Sequence, residues 1–171
     1  MPEGCVEGHD ITLKLNTKVD AMDRAAKTVT TNTGESLPDD KVVLATGSYP
    51  FVPPIPGNDR DNCFVYRTID DLDAMIAASK TGKVGTVVGG GLLGLEAAKA
   101  LHDLGLETHV VEFAPRLMAV QVDDLGGGLL QDKIQDLGVT VHTSTGTQHL
   151  VDGEHCTHRM NFAAASHLAS D

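Results

Sequence analysis

The sequence predicts an α/β fold organised on a parallel sheet. Three observations carry that prediction. Past about residue 65, short apolar strand patterns alternate with helical ones, which is the pattern of strands joined by helical crossovers. Each helical pattern stops at a glycine, Gly82, Gly105 or Gly138, the residue best suited to ending a helix. Between the first of these strands and the next helix stands a spaced glycine triplet, in "VVGGGLLGLEAA".

The elements follow in order. Ile11, Leu13 and Leu15 alternate with polar residues in "ITLKLNTKV", a strand pattern, and "KTVTTNTGES" adds a β-rich run with an Asn-Thr-Gly turn. "KVVLAT", Lys41–Thr46, reads as a continuous apolar strand buried on both faces. Four of the seven prolines then fall between Pro50 and Pro56, so this stretch is expected to be a stiff extended connector, neither helix nor central strand. "CFVY" at Cys63 suggests a short strand. Asp70–Lys80 is helical by spacing, with aspartates in its first turn where the helix dipole favours them. Val84–Val88, Leu92–Leu104, Thr108–Glu112, Asp123–Leu137 and Val139–His142 then alternate strand and helix. Gly126–Gly128 interrupts the third helix, where three glycines cost about 3 kcal/mol relative to alanine; a kink is the expected consequence.

Composition narrows the function classes. Asp and Glu number 24 against 13 Lys and Arg, a formal charge of −11. Such a chain repels phosphate backbones and anionic membranes. Six aromatic residues and no Trp offer few platforms for stacking bases. Nucleic acid and membrane are therefore not the expected partners. Cys5, Cys63 and Cys156 form no close pair, which fits a reducing, cytoplasmic setting.

The glycines carry the chemistry. Gly89-x-Gly91-x-x-Gly94 follows a strand and opens a helix, which is the context the dinucleotide fingerprint requires. Gly89 is expected to make the tight turn, Gly91 to let a pyrophosphate approach the backbone, and Gly94 to pack the helix on the strand. The helix opening at Leu92 and Leu93 would supply N–H donors and partial positive charge to the anion. Glu112, eighteen residues after Gly94 at the end of the next strand, is placed to accept hydrogen bonds from a ribose. A carboxylate there disfavours a 2′-phosphate and so favours NAD over NADP. Arg116 stands close enough in sequence to soften that preference. Glu96 reads either as an acid compensating the helix dipole or as a carboxylate facing the nicotinamide. The expected partner is a small-molecule dinucleotide on a Rossmann-type parallel sheet.

"VVLATGSYPFVPPIPG" and "VGGGLLGLEAAKALHDLGLETHVVEFAPRLM" together resemble the junction and the NAD half of flavin-dependent pyridine-nucleotide oxidoreductases. Adding "CFVYRTIDDL" and "LETHVVEFAPRLMAVQVD", the chain is most similar to the large subunits of NADH-dependent assimilatory nitrite reductases. The resemblance implies a partial FAD-binding domain and connector over residues 1–57, appearing as a β-rich remnant. It implies an NAD-binding domain over 58–150 and the closing strands of that domain over 151–171. It places Ala45, Thr46 and Gly47 beside FAD and brings Glu96 toward the nicotinamide–flavin junction. Hydride would pass from NADH to FAD, and in the parent onward to nitrite. Sirohaem and an iron–sulfur cluster are expected in regions this chain does not contain, and the parent is compatible with a homo-oligomer. No catalytic residue is assigned, and the isolated chain is expected to be inactive. Two other readings are a reductase of ferredoxin or rubredoxin and a stand-alone NAD-binding module.

Other constellations read as structural. His149, His155, Cys156 and His158 lie close together, but without a second ligand pair they read as solvated residues, not a metal site. His102, His109 and His142 fall inside predicted elements. No P-loop or nucleophile-elbow pattern occurs.

Overall fold

The computed structural model describes residues 10–171. The chain divides into two compact units, one ending at Ser48 and the other spanning Tyr49–Asp171.

The first unit is an antiparallel meander of β1 (Val19–Asp23), β2 (Thr28–Thr31) and β3 (Ser36–Pro38). Its turns are set by side chains and glycine: Asp23 Oδ1 accepts from the N–H groups of Ala25 and Ala26, and Gly34 takes φ +81. Two expected strands do not form. Ile11, Leu13 and Leu15 lie in irregular chain, as do Val42, Val43 and Leu44, and all six are exposed. A strand buried on both faces needs a hydrogen-bonding neighbour and a layer on each side. Among the described residues of this unit, the meander supplies neither to Lys41–Thr46.

The second unit begins with the proline-rich segment, which is irregular as expected. It is tied down by backbone and side chain. Leu150 N–H donates to Pro56 O at 2.9 Å, and Arg60 pairs with Asp152 and donates from Nε to His158 Nδ1. His158 Nε2 in turn hydrogen-bonds Asp61 O at 2.6 Å. His158 is thus buried, not solvated; only the tertiary approach of Arg60 and Asp61, about a hundred residues away, gives it partners. The strand expected at Cys63 is absent, because Cys63 N–H closes a turn onto Arg60 O instead of joining a ladder.

α1 (Ile69–Ser79) opens with a reciprocal capping box between Thr68 and Asp71. Then follow β4 (Val84–Val88), α2 (Leu92–Asp103), β5 (Glu107–Val111), α3 (Asp124–Asp136) and β6 (Thr140–His142). The three strands pair in parallel in the order β4-β5-β6, with Val84 opposite Glu107 and His109 opposite Thr140. α3 runs through Gly126–Gly128 without a break. A second antiparallel meander closes the unit: β7 (Thr147–Asp152), β8 (His158–Phe162) and β9 (His167–Ser170). β7 has no counterpart among the expected strands.

The parallel sheet is covered on both faces. Val87, Val110 and Val141 pack with Ala98 and Leu95 of α2 and Leu130 and Ile134 of α3, around Leu117 and Val139. On the other face Val111 packs with Met160, Phe162, Leu150 and Leu168 of the closing meander. Also between the sheet and the meander, His109 stacks on His142, with Nδ1 and Nε2 3.1 Å apart, and His142 lies against Phe162. Burial, reinforced by the charge His109 would carry, holds His142 below the usual histidine range. Among the described residues no helix is long and apolar enough to cross a membrane, and no group of three His, Cys, Asp or Glu side chains could hold a metal ion.

Candidate dinucleotide-binding site

The site is built where β4 gives way to α2. Gly89 takes φ +117, a conformation side chains rarely adopt, and its N–H donates to Val111 O at 2.8 Å. The turn therefore hangs from the end of β5. Gly94 is required by packing, since a Cβ there would overlap the Gly89 carbonyl oxygen. Gly91 is different. Its backbone is extended, at φ −84 and ψ −173, and a Cβ added to it would meet no protein atom within 4 Å. Neither strain nor packing against the protein requires glycine there.

Gly91 is also the N-cap of α2, and it supplies no side-chain hydrogen bond. The other two described helices are capped, α1 by Thr68 and α3 by Asp123, and both carry acids in their first turn. α2 carries none. Its orphan N–H groups and positive dipole end are thus left uncompensated, which suits an anion. Leu92 and Leu93, which open this helix, are exposed.

Glu112 stands at the end of β5, its N–H held by His142 O. Its carboxylate is gripped at both oxygens: Gly90 N–H donates to Oε2 and Ala114 N–H to Oε1, each at 2.6 Å. The predicted acid and the glycine turn are therefore one hydrogen-bonded unit. Gly90, unassigned by the motif spacing, joins the two. A Cβ on Gly90 would stand 2.5 Å from Leu117 Cδ2 and 3.1 Å from Glu112 Cβ, and the Gly90 carbonyl accepts from Met118 N–H at 2.9 Å. The available signal was three consecutive glycines where the spaced motif needs two.

The remaining predicted residues are distributed unevenly. Glu96 lies on α2 past its first turn, exposed, so compensation of the helix dipole is a weak account of it. Arg116 has its guanidinium engaged by protein. Nε donates to Val122 O, one terminal nitrogen to Ala119 O, and the other pairs with Asp124 at 2.8 Å. Ala45, Thr46 and Gly47 belong to the first unit, in exposed irregular chain, with Gly47 at φ +72. Beside the turn a cavity of about 450 Å³ runs along β4, from Phe51, Val52 and Tyr66 to Val88, Leu93 and Gly94.

The sequence profile described as pyridine nucleotide-disulphide oxidoreductase matches residues 6–165. The chain is 55% identical over 163 residues to the nitrite reductase [NAD(P)H] large subunit of Klebsiella oxytoca, covering 95% of this chain and 17% of that protein. It is 48% identical over 170 residues to the nitrite reductase (NADH) large subunit of Escherichia coli K12, covering 99% of this chain and 20% of that protein. The chain thus spans a fifth or less of the length of these relatives. Among solved structures, a water-forming NADH oxidase from Lactobacillus brevis bound to NADH superposes with a TM-score of 0.78 at 26% identity, covering 91% of this chain and 35% of that one. A glycine turn tied to an acid at the end of the next strand, on a parallel sheet closed by a meander, and a profile match over nearly the whole sequence lead to one conclusion: the chain belongs to the pyridine nucleotide-disulphide oxidoreductase family.

Proposed function

We propose that the chain is the NAD(H)-binding portion of a flavin-dependent oxidoreductase, which in the whole protein delivers electrons from NADH toward nitrite. The observation that carries the nucleotide assignment is Gly91, a glycine that neither backbone strain nor protein packing requires, at the uncapped start of α2. The relatives support the direction: two of them, 55% and 48% identical, are named as nitrite reductase large subunits, one of them for NADH.

In this reading the residues divide the work. Gly89, Gly91 and Gly94 bring the backbone N–H groups at Leu92 and Leu93 against the pyrophosphate. Glu112, already oriented by Gly90 and Ala114, accepts from the adenosine ribose and repels a 2′-phosphate. The cavity that reaches Leu93 and Gly94 receives the nicotinamide half, with Glu96 on the exposed side of the same helix. NADH, when bound, supplies a hydride and FAD accepts it; the chain contributes placement and electrostatics. Ala45, Thr46 and Gly47 are assigned to FAD on the resemblance of their segment, and residues 58–150 to the nucleotide domain. No residue of this chain is assigned to sirohaem or to an iron–sulfur cluster.

The test is calorimetric titration of the purified chain with NADH and with NADPH. Saturable NADH binding, weaker for NADPH, is expected. A folded chain that binds neither would remove the nucleotide assignment.

A further inference from the structure

The glycine run in α3 and the arginine after β5 explain one another. A Cβ on Gly127 would lie 2.8 Å from Arg116 Cδ, 3.0 Å from its Cβ and 3.2 Å from its Cγ. The conflict runs along the whole aliphatic stem from Cβ to Cδ, so relief at one atom leaves the others tight. Gly127 is buried, and on this seat the guanidinium spans Ala119 O, Val122 O and Asp124. Arg116 thereby staples the loop after β5 to the start of α3.

What that loop holds is the glycine turn. Leu117, next to Arg116, has no exposed surface and lies against Gly90. Met118, the residue after it, donates to Gly90 O and adopts φ +47. A non-glycine residue in that region persists only where its surroundings over-determine it. Gly90 in turn donates to Glu112.

We propose that Arg116, seated on Gly127, is a positioning residue for the dinucleotide site. It clamps the Leu117–Met118 segment beneath Gly90, and so fixes the glycine turn and the Glu112 carboxylate, while its own cation is withheld from the ribose end. This rests on the nucleotide assignment above for its consequence, though not for its geometry.

The test compares Arg116→Met, Gly127→Ala and the control Gly128→Ala, whose Cβ would meet nothing within 4 Å. NADH and NADPH are titrated well below the melting temperature, and amide exchange is followed at Gly90 and Ala114. The clamp predicts that Arg116→Met and Gly127→Ala each weaken NADH binding by the same factor, and NADPH binding by no more than that, since a displaced Glu112 repels a 2′-phosphate less. That factor is about tenfold, the equivalent of one misplaced charge-assisted hydrogen bond. Exchange at Gly90 and Ala114 should accelerate in both variants and stay unchanged in Gly128→Ala. A loss confined to NADPH in Arg116→Met would overturn the proposal, because the guanidinium would then be touching the 2′-phosphate. Lower melting temperatures with unchanged affinity and exchange would overturn it too, leaving Arg116 a stability residue. If the unaltered chain binds neither nucleotide, the functional assignment fails, and exchange at the two amides still decides the clamp.

Discussion

Replacing Gly91 with valine should abolish NADH binding while leaving the fold nearly intact. The stability side follows from the local geometry. Gly91 has ordinary extended dihedrals, and a Cβ there enters open space, so neither backbone strain nor a Cβ clash opposes a side chain. The remaining cost is the poorer N-cap, about 1 kcal/mol. The binding side follows from what the added methyls cover. They stand at the mouth of the N–H groups that open α2, and pushing a phosphate off two such donors forfeits about 1.5–3 kcal/mol each. The expected loss is therefore about 3 kcal/mol or more, at least a hundredfold in Kd. Calorimetric titration measures the affinity, and thermal unfolding followed by circular dichroism measures the stability. Gly94→Ala is the contrasting variant, since its Cβ overlaps Gly89 O; it should lose about 3 kcal/mol of stability by overpacking, before binding is considered. If Gly91→Val binds NADH like the unaltered chain, the reasoning that glycine at this position answers to a ligand is wrong. If it unfolds, the reading that Gly91 faces open space is wrong.

Three further outcomes follow from the same contacts. Glu112→Ala removes the carboxylate that repels a 2′-phosphate and frees Gly90 and Ala114 N–H; the Kd ratio of NADPH to NADH should fall by about tenfold, one charged contact's worth, and an unchanged ratio would remove Glu112 from the site. Gly128→Ala should raise stability by about 1 kcal/mol in chemical denaturation, because its Cβ meets nothing. Stability should also decline below about pH 6.5, the ordinary histidine value from which His142 is lowered by burial and by His109. With the folded pKa beneath the unfolded one, the native state binds fewer protons, so the stabilisation is complete above pH 6.5 and is lost as pH falls toward the folded value. Denaturation midpoints between pH 7.5 and 5.5 should show a slope that His142→Phe reduces; an equal slope in both proteins would assign it to other groups.

The parallel sheet, its helices and the glycine turn between β4 and α2 were legible in the sequence because they are local. A strand, a glycine turn and a helix are contiguous, each glycine's duty is set by neighbours a few residues away, and period and punctuation place Val84–Val88, Leu92–Asp103 and Glu107–Val111 almost to the residue. The strands expected at Ile11–Leu15 and Lys41–Thr46 were not decided that way. An apolar alternation states only that a residue could be buried, and a strand exists only where another segment offers its backbone. Long-range contact likewise chose between the two readings of several side chains. His158 became a buried, hydrogen-bonded residue once Arg60 and Asp61 reached it, and Arg116, read from sequence as a neighbour of the ribose, is engaged by Ala119 and Val122 and packs on Gly127. Gly90 acquired its role from Leu117 and Glu112, more than twenty residues downstream. The sequence alone therefore determined which chemistry the turn can perform, since that depends on residue type and short spacing. Only the tertiary structure decided which groups are free to perform it, because a donor or a cation already held by a distant partner is no longer available to a ligand.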